Sequence, residues 1–367
     1  MPKVLFIASH RPDRSPSQRF RFEQYFSFLK QNGIAYELSW IISKEDDPYL
    51  YQNGNILRKF IILFRSVYRR WKDLKKANGF DVVFIQREAL MIGSVWFENR
   101  IKKKGIPLIY DFDDSIWILD TSEGNKKWEW LKNPGKTKKI IKIADLVFAG
   151  NKHLAEYAKQ FNTNVKIIPT TVDTDKFEPD LSKRKKEQIV IGWSGSITTI
   201  KHFNLIVPTL IKLKNKYGDK IIFKVVGDSS YENKELGIVG TAWSPDTEVD
   251  VLNSFDIGIM PLPDDKWAKG KCGLKGLSYM ALEIPTVMSP VGVNCEIIEN
   301  GVNGFLAKDE DEWLKILSAL IEDEELRSKT GKKARKTVTE KYSVTAQKKN
   351  YLNAILEIIP AAGKSIT

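Results

Sequence analysis

Short apolar runs separated by polar, helix-like stretches organise the first half of the chain. The runs are rich in β-branched residues and do not alternate with polar ones, as is typical of parallel strands covered on both faces. An amphipathic helix, RFEQYFSFLKQNG, is predicted after the first strand and ends at Gly33. The predicted strands of this half are KVLFIAS, AYELSWI, DVVFIQ, PLIYDFD, LVFAG and VKIIP.

The second half repeats this pattern and then becomes helical. Helical intervals such as HFNLIVPTLIKLKNKYG separate its strands, and the helical end has a break near Tyr342–Ser343. Two successive βα arrays predict two doubly wound α/β domains, with ligands at the carboxyl ends of the strands. The predicted strands are QIVIGWSG, KIIFKVVGD, FDIGIMPL, PTVMSP and GFLA.

Composition narrows the class of protein and charge suggests a partner. The chain has 367 residues, 42% hydrophobic and 28% charged, which suits two globular domains. The N-terminus lacks the apolar core of a signal peptide, and no run reaches the ~18 apolar residues of a membrane span. Two cysteines are too few for a disulfide framework. We therefore expect a cytoplasmic protein. Residues 1–175 hold 30 Lys and Arg against 20 Asp and Glu, within a total charge of +12. This excess predicts an anionic partner for the first half.

Glycines and cations follow several strands of the second half. In GKCGLK, Lys271 and Lys275 stand among glycines before a predicted helix, where backbone N–H groups and the helix dipole favour an anion. A solvated glycine loop with surface lysines is the alternative. Four such strand ends in one domain predict a nucleotide-sized pocket, although neither the Gly-x-Gly-x-x-Gly nor the P-loop pattern is present. The other three ends carry Gly195, Ser196, Thr198, Thr199 and Lys201; Gly227 and Asp228; and Gly292, Asn294 and Glu296. For the first of these ends, the alternative is an ordinary helix N-cap by Thr198 or Thr199.

Acidic and basic side chains follow strands of the first half. Asp111, Asp113 and Asp114 repel one another unless a cation or hydrogen-bond donors offset their charge. They suit a metal-binding Asp-x-Asp, a general base or polar clamp, or an Asx turn with helix capping. In the loop after the first strand, Ser17 and Arg19 stand where an anionic substrate would lie, and Arg19 also suits a solvated helix face.

Residues 55–76 predict a sharply two-faced helix. Its apolar residues are Leu57, Phe60, Ile61, Phe64, Val67, Tyr68, Trp71 and Leu74, and its basic ones are Arg58, Lys59, Arg65, Arg69, Arg70, Lys72, Lys75 and Lys76. Such a helix suits the surface of an anionic membrane. It equally suits a helix packed on the core with a solvated basic face.

Several blocks in order resemble the retaining glycosyltransferases of family four, which have the GT-B fold. The blocks are IPTTVDTDKF, IGWSG, VVGD, FDIGIMPL, YMALEIPTVMSPVGVNCEIIENGVNGFL and the helix after KYS. The resemblance implies two Rossmann-like domains facing a cleft. Residues 1–178 with a crossing helix at 345–367 would bind the acceptor, and residues 179–344 the nucleotide sugar.

The chain departs from the family at its paired glutamates, whose positions fall on Gly270 and Ser278. In their place stands the Lys-Cys-Gly-x-Lys arrangement of Lys271 and Lys275, which resembles a bacterial subgroup. Ser196 replaces the family's arginine, and Lys201 matches its lysine. We infer that Lys271 and Lys275 hold the leaving nucleoside diphosphate.

The resemblance implies a metal-independent transferase without a cofactor, using a UDP- or GDP-linked sugar and a saccharide or lipid-linked acceptor. The basic two-faced helix at residues 55–76 separately predicts a cytoplasmic protein that is peripheral at the inner face of the membrane. We expect no nucleic acid partner, because the sequence shows no recognisable DNA- or RNA-binding module. A non-catalytic nucleotide-sugar-binding subunit is the alternative. Asp111, nearest in position to the family's histidine, joins Lys271 and Lys275 as catalytic, and Ser17 and Arg19 would contact the acceptor. The donor-binding residues would be Gly195, Ser196, Thr198, Lys201, Gly227, Asp228, Gly273, Gly292, Val293, Asn294 and Glu296.

Overall fold

The chain forms two compact units. The computed structural model describes residues 1–51, 54–118, 133–184 and 187–359. Unit 1 comprises Met1–Pro169 and Lys348–Thr367, and unit 2 comprises Thr170–Gln347. The chain therefore leaves unit 1 after Pro169 and returns to it at Lys348. Within the described ranges, no helix is long and apolar enough to cross a bilayer.

In the described part of unit 1, six parallel strands form one sheet in the order β2-β1-β3-β4-β5-β6. The strands are β1 (Lys3–Ile7), β2 (Ala35–Ser39), β3 (Val82–Gln86), β4 (Leu108–Phe112), β5 (Leu146–Ala149) and β6 (Val165–Ile167). The helices are α1 (Pro16–Arg21), α2 (Phe26–Gln31), α3 (Asp47–Tyr51), α4 (Ile56–Lys76), α5 (Trp96–Lys103), α6 (Gly135–Ile143) and α7 (Lys152–Lys159). The central strands β1, β3, β4 and β5 bury nearly every residue, which explains their continuous apolar sequences.

The predicted helix RFEQYFSFLKQNG is interrupted. It divides into the end of α1 and the whole of α2, with Phe22 between them at φ −144. Phe22 is fully buried and stacks on Phe6 with ring centroids 5.3 Å apart. The prediction of one continuous helix was wrong because burying this ring turns the chain out of helical geometry.

In the described part of unit 2, five parallel strands have the order β13-β12-β11-β7-β8, beside an antiparallel pair of β9 and β10. The strands are β7 (Ile189–Ser194), β8 (Ile221–Val226), β9 (Glu232–Asn233), β10 (Ile238–Val239), β11 (Ile257–Met260), β12 (Thr286–Met288) and β13 (Phe305–Leu306). The helices are α8 (Ile200–Phe203), α9 (Val207–Tyr217), α10 (Glu248–Asn253), α11 (Leu274–Ala281), α12 (Asn294–Ile297), α13 (Glu310–Glu322) and α14 (Glu324–Thr337). One face of the sheet packs its apolar side chains on α9 and α13.

The last described helix, α15 (Val344–Leu356), follows the break predicted near Tyr342–Ser343. Its Tyr351 is fully buried in unit 1, stacked on Tyr25 with ring centroids 4.2 Å apart and planes 3° from parallel. Phe148 meets this ring edge-on, and Phe84 lies tilted to it, with ring centroids 5.6 and 6.4 Å away. Aromatic packing therefore fixes the returning segment in unit 1, and residues 360–367 of the predicted segment lie outside the described residues.

Candidate functional site

The strands of unit 2 end in two loops whose backbones touch. Gly195 follows β7, and its N–H donates to the carbonyl of Val226 at the end of β8, 2.8 Å away. Gly227 follows β8 with φ +112, and a Cβ there would lie 1.6 Å from the carbonyl oxygen of Gly195. Only glycine fits both the backbone angle and this approach. The sequence-predicted Gly195 and Gly227 are therefore brought together.

Trp193 connects the first loop to a lysine of the predicted phosphate site. Its buried ring lies beneath Gly195, where an added Cβ would come within 2.3 Å of it. The ammonium of Lys275 lies over the same ring, 5.2 Å from the centroid. A cation held against an aromatic face keeps a defined position. Lys275 is thereby held close to the loop after β7.

The start of α11 packs against the loop that follows β12. Gly273 begins α11 with φ +71, and no described side chain caps this end. A Cβ on Gly273 would lie 3.7 Å from Oδ1 of Asn294, and one on Gly292 would lie 2.7 Å from the carbonyl oxygen of Lys269. The loops bearing Gly273, Gly292 and Asn294 therefore form one close-packed wall.

Asn294 has an unused acceptor at this wall. It is fully buried, and its Nδ2 donates to the carbonyl of Ser289 at 2.9 Å. Its Oδ1 has no hydrogen-bond partner among the described residues. Because a buried acceptor without a partner is costly, a hydroxyl or N–H donor from a ligand suits this position.

Three lysines act on one buried histidine. Burial, together with the positive charges of Lys275, Lys271 and Lys201, lowers the pKa of His202 from 6.5 to about 4. Lys201 lies in α8, Lys275 in α11 and Lys271 in the segment before α11, and the positive charge of each acts on this imidazole. Lys271 also lies over the Trp267 ring, 5.2 Å from its centroid.

Other predicted donor-binding residues have partners within their own loops. Ser196 forms a reciprocal capping box with Thr199, and its hydroxyl lies 2.9 Å from that of Thr198. This end is therefore capped as the alternative interpretation predicts, but the N-cap residue is Ser196 and not Thr198 or Thr199. The buried Asp228 accepts from the N–H and hydroxyl of Ser230 at 3.0 and 2.6 Å. Glu296 is exposed in α12, and the half-buried Val293 precedes that helix. Donor contacts by these residues stay predictions.

In unit 1, Asp111 lies in the core. It is fully buried at the end of β4, where both carboxylate oxygens accept from Nε of Arg21 at 3.2 Å, and a second Arg21 nitrogen completes the ion pair. Burial raises the pKa of Asp111 despite the opposing charge of Arg21. This geometry favours a structural ion pair, and a catalytic role for Asp111 stays a prediction.

Asp113 belongs to a polar network with Ser17. It accepts from the Ser17 hydroxyl at 2.6 Å and from Nε of Arg87 at 2.7 Å, while Gln86 donates to Ser17 at 2.6 Å. Burial acts to raise the pKa of Asp113, but Arg87 and the Ser17 hydrogen bond lower it below its usual value. Of the interpretations of the acidic triplet, the polar clamp describes Asp113 best. Among described residues, no cluster of His, Cys, Asp and Glu suits a metal ion.

Sequence reasoning missed three residues that shape these edges. Trp193 supports Gly195 and Lys275. The Tyr279 hydroxyl accepts from the N–H of Ser194 at 2.7 Å, and burial raises its pKa to about 12. Arg87 holds Asp113 from a left-handed backbone at φ +59. An aromatic residue beside a strand-end glycine, as in IGWSG, was the available signal for Trp193.

The family comparison concerns unit 2. Residues 188–323 match the model described as "Glycosyl transferases group 1". This segment is similar in sequence to group 1 glycosyltransferases. The capsular polysaccharide biosynthesis glycosyltransferase CapM of Staphylococcus aureus is 23% identical over 184 residues, 47% of each chain. The match thus spans about half the length of this curated relative.

Solved structures extend the likeness to both units. Sucrose-phosphate synthase from Thermosynechococcus elongatus has a TM-score of 0.73 at 13% identity, covering 98% of this chain and 99% of that one. HepE from Anabaena, in complex with UDP and glucose, has a TM-score of 0.67 at 14% identity, covering 97% and 100%. At these identities the likeness shows the fold, which is the predicted GT-B.

Proposed function

We propose that the protein is a retaining glycosyltransferase that uses a nucleoside-diphosphate sugar. Unit 2 holds the donor, and the acceptor is a saccharide or lipid-linked saccharide of bacterial cell-envelope polysaccharide or glycoconjugate synthesis. The position of the Lys275 ammonium over the Trp193 ring, beside the touching loops that bear Gly195 and Gly227, carries this proposal. CapM, named for capsular polysaccharide synthesis, and the UDP bound to HepE support its substrate classes.

The proposed chemistry stabilises a departing diphosphate. The bond between the sugar's anomeric carbon and the phosphate oxygen breaks, and its electron pair leaves with the diphosphate. The acceptor hydroxyl forms the new bond to that carbon and releases its proton. Lys271, Lys275 and the N–H groups at the start of α11 offset the charge that develops on the leaving group. The proposed scheme requires no metal ion.

Asn294 and unit 1 have supporting roles in this proposal. The unused Oδ1 of Asn294 accepts from a hydroxyl of the donor, which explains a buried acceptor beside Gly273. Ser17, positioned by Gln86 and Asp113, contacts the acceptor. An acceptor carried on a lipid would place the protein peripherally at the inner face of the cell membrane.

A thermal titration tests the donor site. The full chain is melted with UDP, GDP, ADP, CMP and UDP- and GDP-linked sugars; a ligand at a hundred times its Kd stabilises the folded state by about 2.7 kcal/mol. Lys271→Ala and Lys275→Ala should lose this rise. Lys212→Ala, which removes an exposed lysine paired with Glu310 in the same unit, should keep it. If no nucleotide raises the melting temperature at millimolar concentration, the donor-site proposal is wrong.

A turnover assay separates an enzyme from a binding subunit. The absence of a carboxylate at Gly270 and Ser278 favours a non-catalytic subunit, which would bind nucleotide without consuming sugar donor. Release of nucleoside diphosphate from the stabilising donor, dependent on a membrane-extract acceptor, supports the transferase. EDTA should leave the rate unchanged, and a loss restored by Mn²⁺ or Mg²⁺ would contradict the metal-independent scheme.

A further inference from the structure

Helix α4 presents its large apolar side chains to solvent. Leu57 and Phe64 are each 75% exposed, and Phe60 is 55% exposed. The remaining members of the face, all at least 37% exposed, are Ile56, Ile61, Val67, Tyr68 and Trp71. These eight residues, called here the α4 apolar face, lie within ~140° of the helix surface at 100° per residue. A contiguous apolar surface of this kind marks an interaction site.

The inward side of α4 carries the polar Ser66, Arg70 and Asp73 beside the apolar Ile62 and Leu74, so Leu74 does not belong to the exposed apolar face. Arg70 is fully buried and donates to the carbonyls of Ala8 and Ala89 at 2.6 and 2.8 Å, and to Asp73 at 2.9 Å. Asp73 in turn accepts from the Ser39 hydroxyl at 2.6 Å. These bonds fix the rotation of α4, because turning the apolar face inward would leave the Arg70 charge without its partners. The alternative of a core-packed apolar face is therefore wrong, and so is the assignment of Arg70 to the solvated side.

Basic side chains border the apolar face. Arg58, Arg65, Arg69 and Lys72 fall in a band ~60° wide beside it, by the same helical geometry. Lys72 lies over Tyr68 at 4.7 Å and Lys75 over Trp71 at 3.5 Å from the ring centroids. The buried Asp46 offsets part of the charge of Arg58 and Arg65, 3.1 and 3.5 Å away. The band is positive on balance, next to aromatic rings.

We propose that α4 lies along the surface of an anionic bilayer. Leu57, Phe60 and Phe64 insert among the lipid chains, and Arg69 and Lys72 meet the phosphate headgroups. An apolar strip ~23 Å long, bordered by cations and aromatic rings, matches the apolar-to-anionic boundary of a lipid leaflet. A second copy of this chain would bring the same positive borders together, which charge repulsion opposes.

This inference concerns an interaction surface and does not depend on the proposed transfer reaction. Vesicle binding without turnover would leave it intact while the transferase proposal failed. Nucleotide binding and turnover without vesicle binding would overturn it alone. The two proposals are therefore distinguished by separate measurements on the same purified chain.

Flotation of the full chain with vesicles tests the surface. We expect it to float with vesicles of phosphatidylcholine and phosphatidylglycerol, and more weakly with phosphatidylcholine alone. The double variant Leu57→Gln/Phe64→Gln should bind the anionic vesicles roughly tenfold or more weakly. Arg69→Gln/Lys72→Gln should weaken binding several-fold on anionic vesicles only. The matched control is Val239→Gln, since Val239 is also 75% exposed but lies in unit 2, and it should bind as the wild type does.

Three results would overturn the proposal. One is no flotation with anionic vesicles, and another is equal flotation of the wild type and the Leu57→Gln/Phe64→Gln variant. The third is a lipid-free dimer, seen by sedimentation, that this variant dissociates, because the occupant would then be a second copy. Because the substituted side chains are exposed, the variants should melt as the wild type does, and the melting curve verifies this.

Discussion

A Cβ atom on Gly227 would lie 1.6 Å from the carbonyl oxygen of Gly195, so the loops after β7 and β8 touch through their backbones. Gly227 also adopts φ +112, a backbone angle that is strongly disfavoured for residues with a Cβ atom. The contact sets the separation of two strand ends in unit 2, and with it the position of Gly195 over Trp193.

Gly227→Ala should therefore disturb the donor site. The added methyl must push the loop after β7 away, because the atom that it meets belongs to the backbone. We expect a loss of about 2 kcal/mol or more in the free energy of unfolding and loss of the nucleotide-induced rise in melting temperature. Urea denaturation and thermal titration measure the two effects.

Gly237→Ala is the matched control for this substitution. Gly237 has φ +66, but no described atom lies within 4 Å of its added Cβ. Gly237→Ala should lower the free energy of unfolding by about 1–2 kcal/mol through backbone conformation alone, and it should keep the nucleotide-induced rise in melting temperature. A nucleotide response of Gly227→Ala equal to that of Gly237→Ala would show that the close approach is irrelevant to binding.

Tyr279→Phe should destabilise unit 2 through the loss of two hydrogen bonds to Ser194. The Tyr279 hydroxyl accepts from the N–H of Ser194 at the end of β7 and also lies 3.1 Å from the Ser194 hydroxyl. Without the Tyr279 hydroxyl, the Ser194 N–H loses its acceptor in a partly buried place, which costs about 1–3 kcal/mol in the free energy of unfolding. Chemical denaturation measures the cost, and a weaker nucleotide response would follow from displacement of the β7 end.

Tyr351→Phe provides the contrast. Tyr351 is buried in unit 1, and its hydroxyl has no hydrogen-bond partner among the described residues. Its removal should be neutral or stabilising, since no bond is broken and a buried polar atom is removed. Equal costs for Tyr279→Phe and Tyr351→Phe would contradict the importance of the Ser194 bond.

The sheets of both units were predictable because their central strands are buried on both faces. A parallel sheet imposes continuous apolar runs, and runs such as VVFIQ and LIYDF occur as β3 and β4. The contact between the loops after β7 and β8 also follows from strand ends that meet at one edge of a sheet. These features depend on local sequence and on a general rule of topology.

Features set by tertiary contact were not predictable. The 3.6-residue period of α4 shows that the helix has two faces, but not which one meets the protein. That choice depends on Arg70 finding carbonyl acceptors on Ala8 and Ala89, far away in the sequence. The same applies to Asp111. The DFDD pattern does not show that Asp111 is buried in an ion pair with Arg21, because Arg21 is distant in the sequence.

Asp111→Asn should destabilise unit 1 strongly. It leaves the Arg21 guanidinium buried without a counter-charge, and breaking such a pair costs about 3–5 kcal/mol. The measurement is the free energy of unfolding in urea. A second variant, Asp111→Leu with Arg21→Met, removes both charges and should recover much of the loss.

An exposed ion pair in the same unit serves as the control. Glu357 pairs with Lys166, both partly exposed, and Glu357→Gln should cost less than about 1 kcal/mol. If Asp111→Asn unfolds with wild-type stability but loses sugar transfer, the residue is catalytic and the structural interpretation fails.

His202 should make unit 2 less stable in mild acid. Its pKa is about 4 in the folded protein against 6.5 ordinarily, so the unfolded chain binds a proton first as the pH falls. Stability is therefore lost from pH 6.5 down to about pH 4 and then levels off for this group, by at most about 3 kcal/mol. His10 in unit 1, whose pKa burial chiefly lowers to about 4, adds a separate loss over the same window. His202→Gln should remove only the contribution of His202, seen as a flatter dependence of the melting temperature on pH.

A diphosphate bound beside Lys275 and Lys271 should raise the pKa of His202. An NMR titration of its ring protons, with and without the stabilising nucleotide, measures this change. Parallel pH profiles for the wild type and His202→Gln, with an NMR titration unaffected by nucleotide, would refute the placement of the lysines and the phosphates around this imidazole.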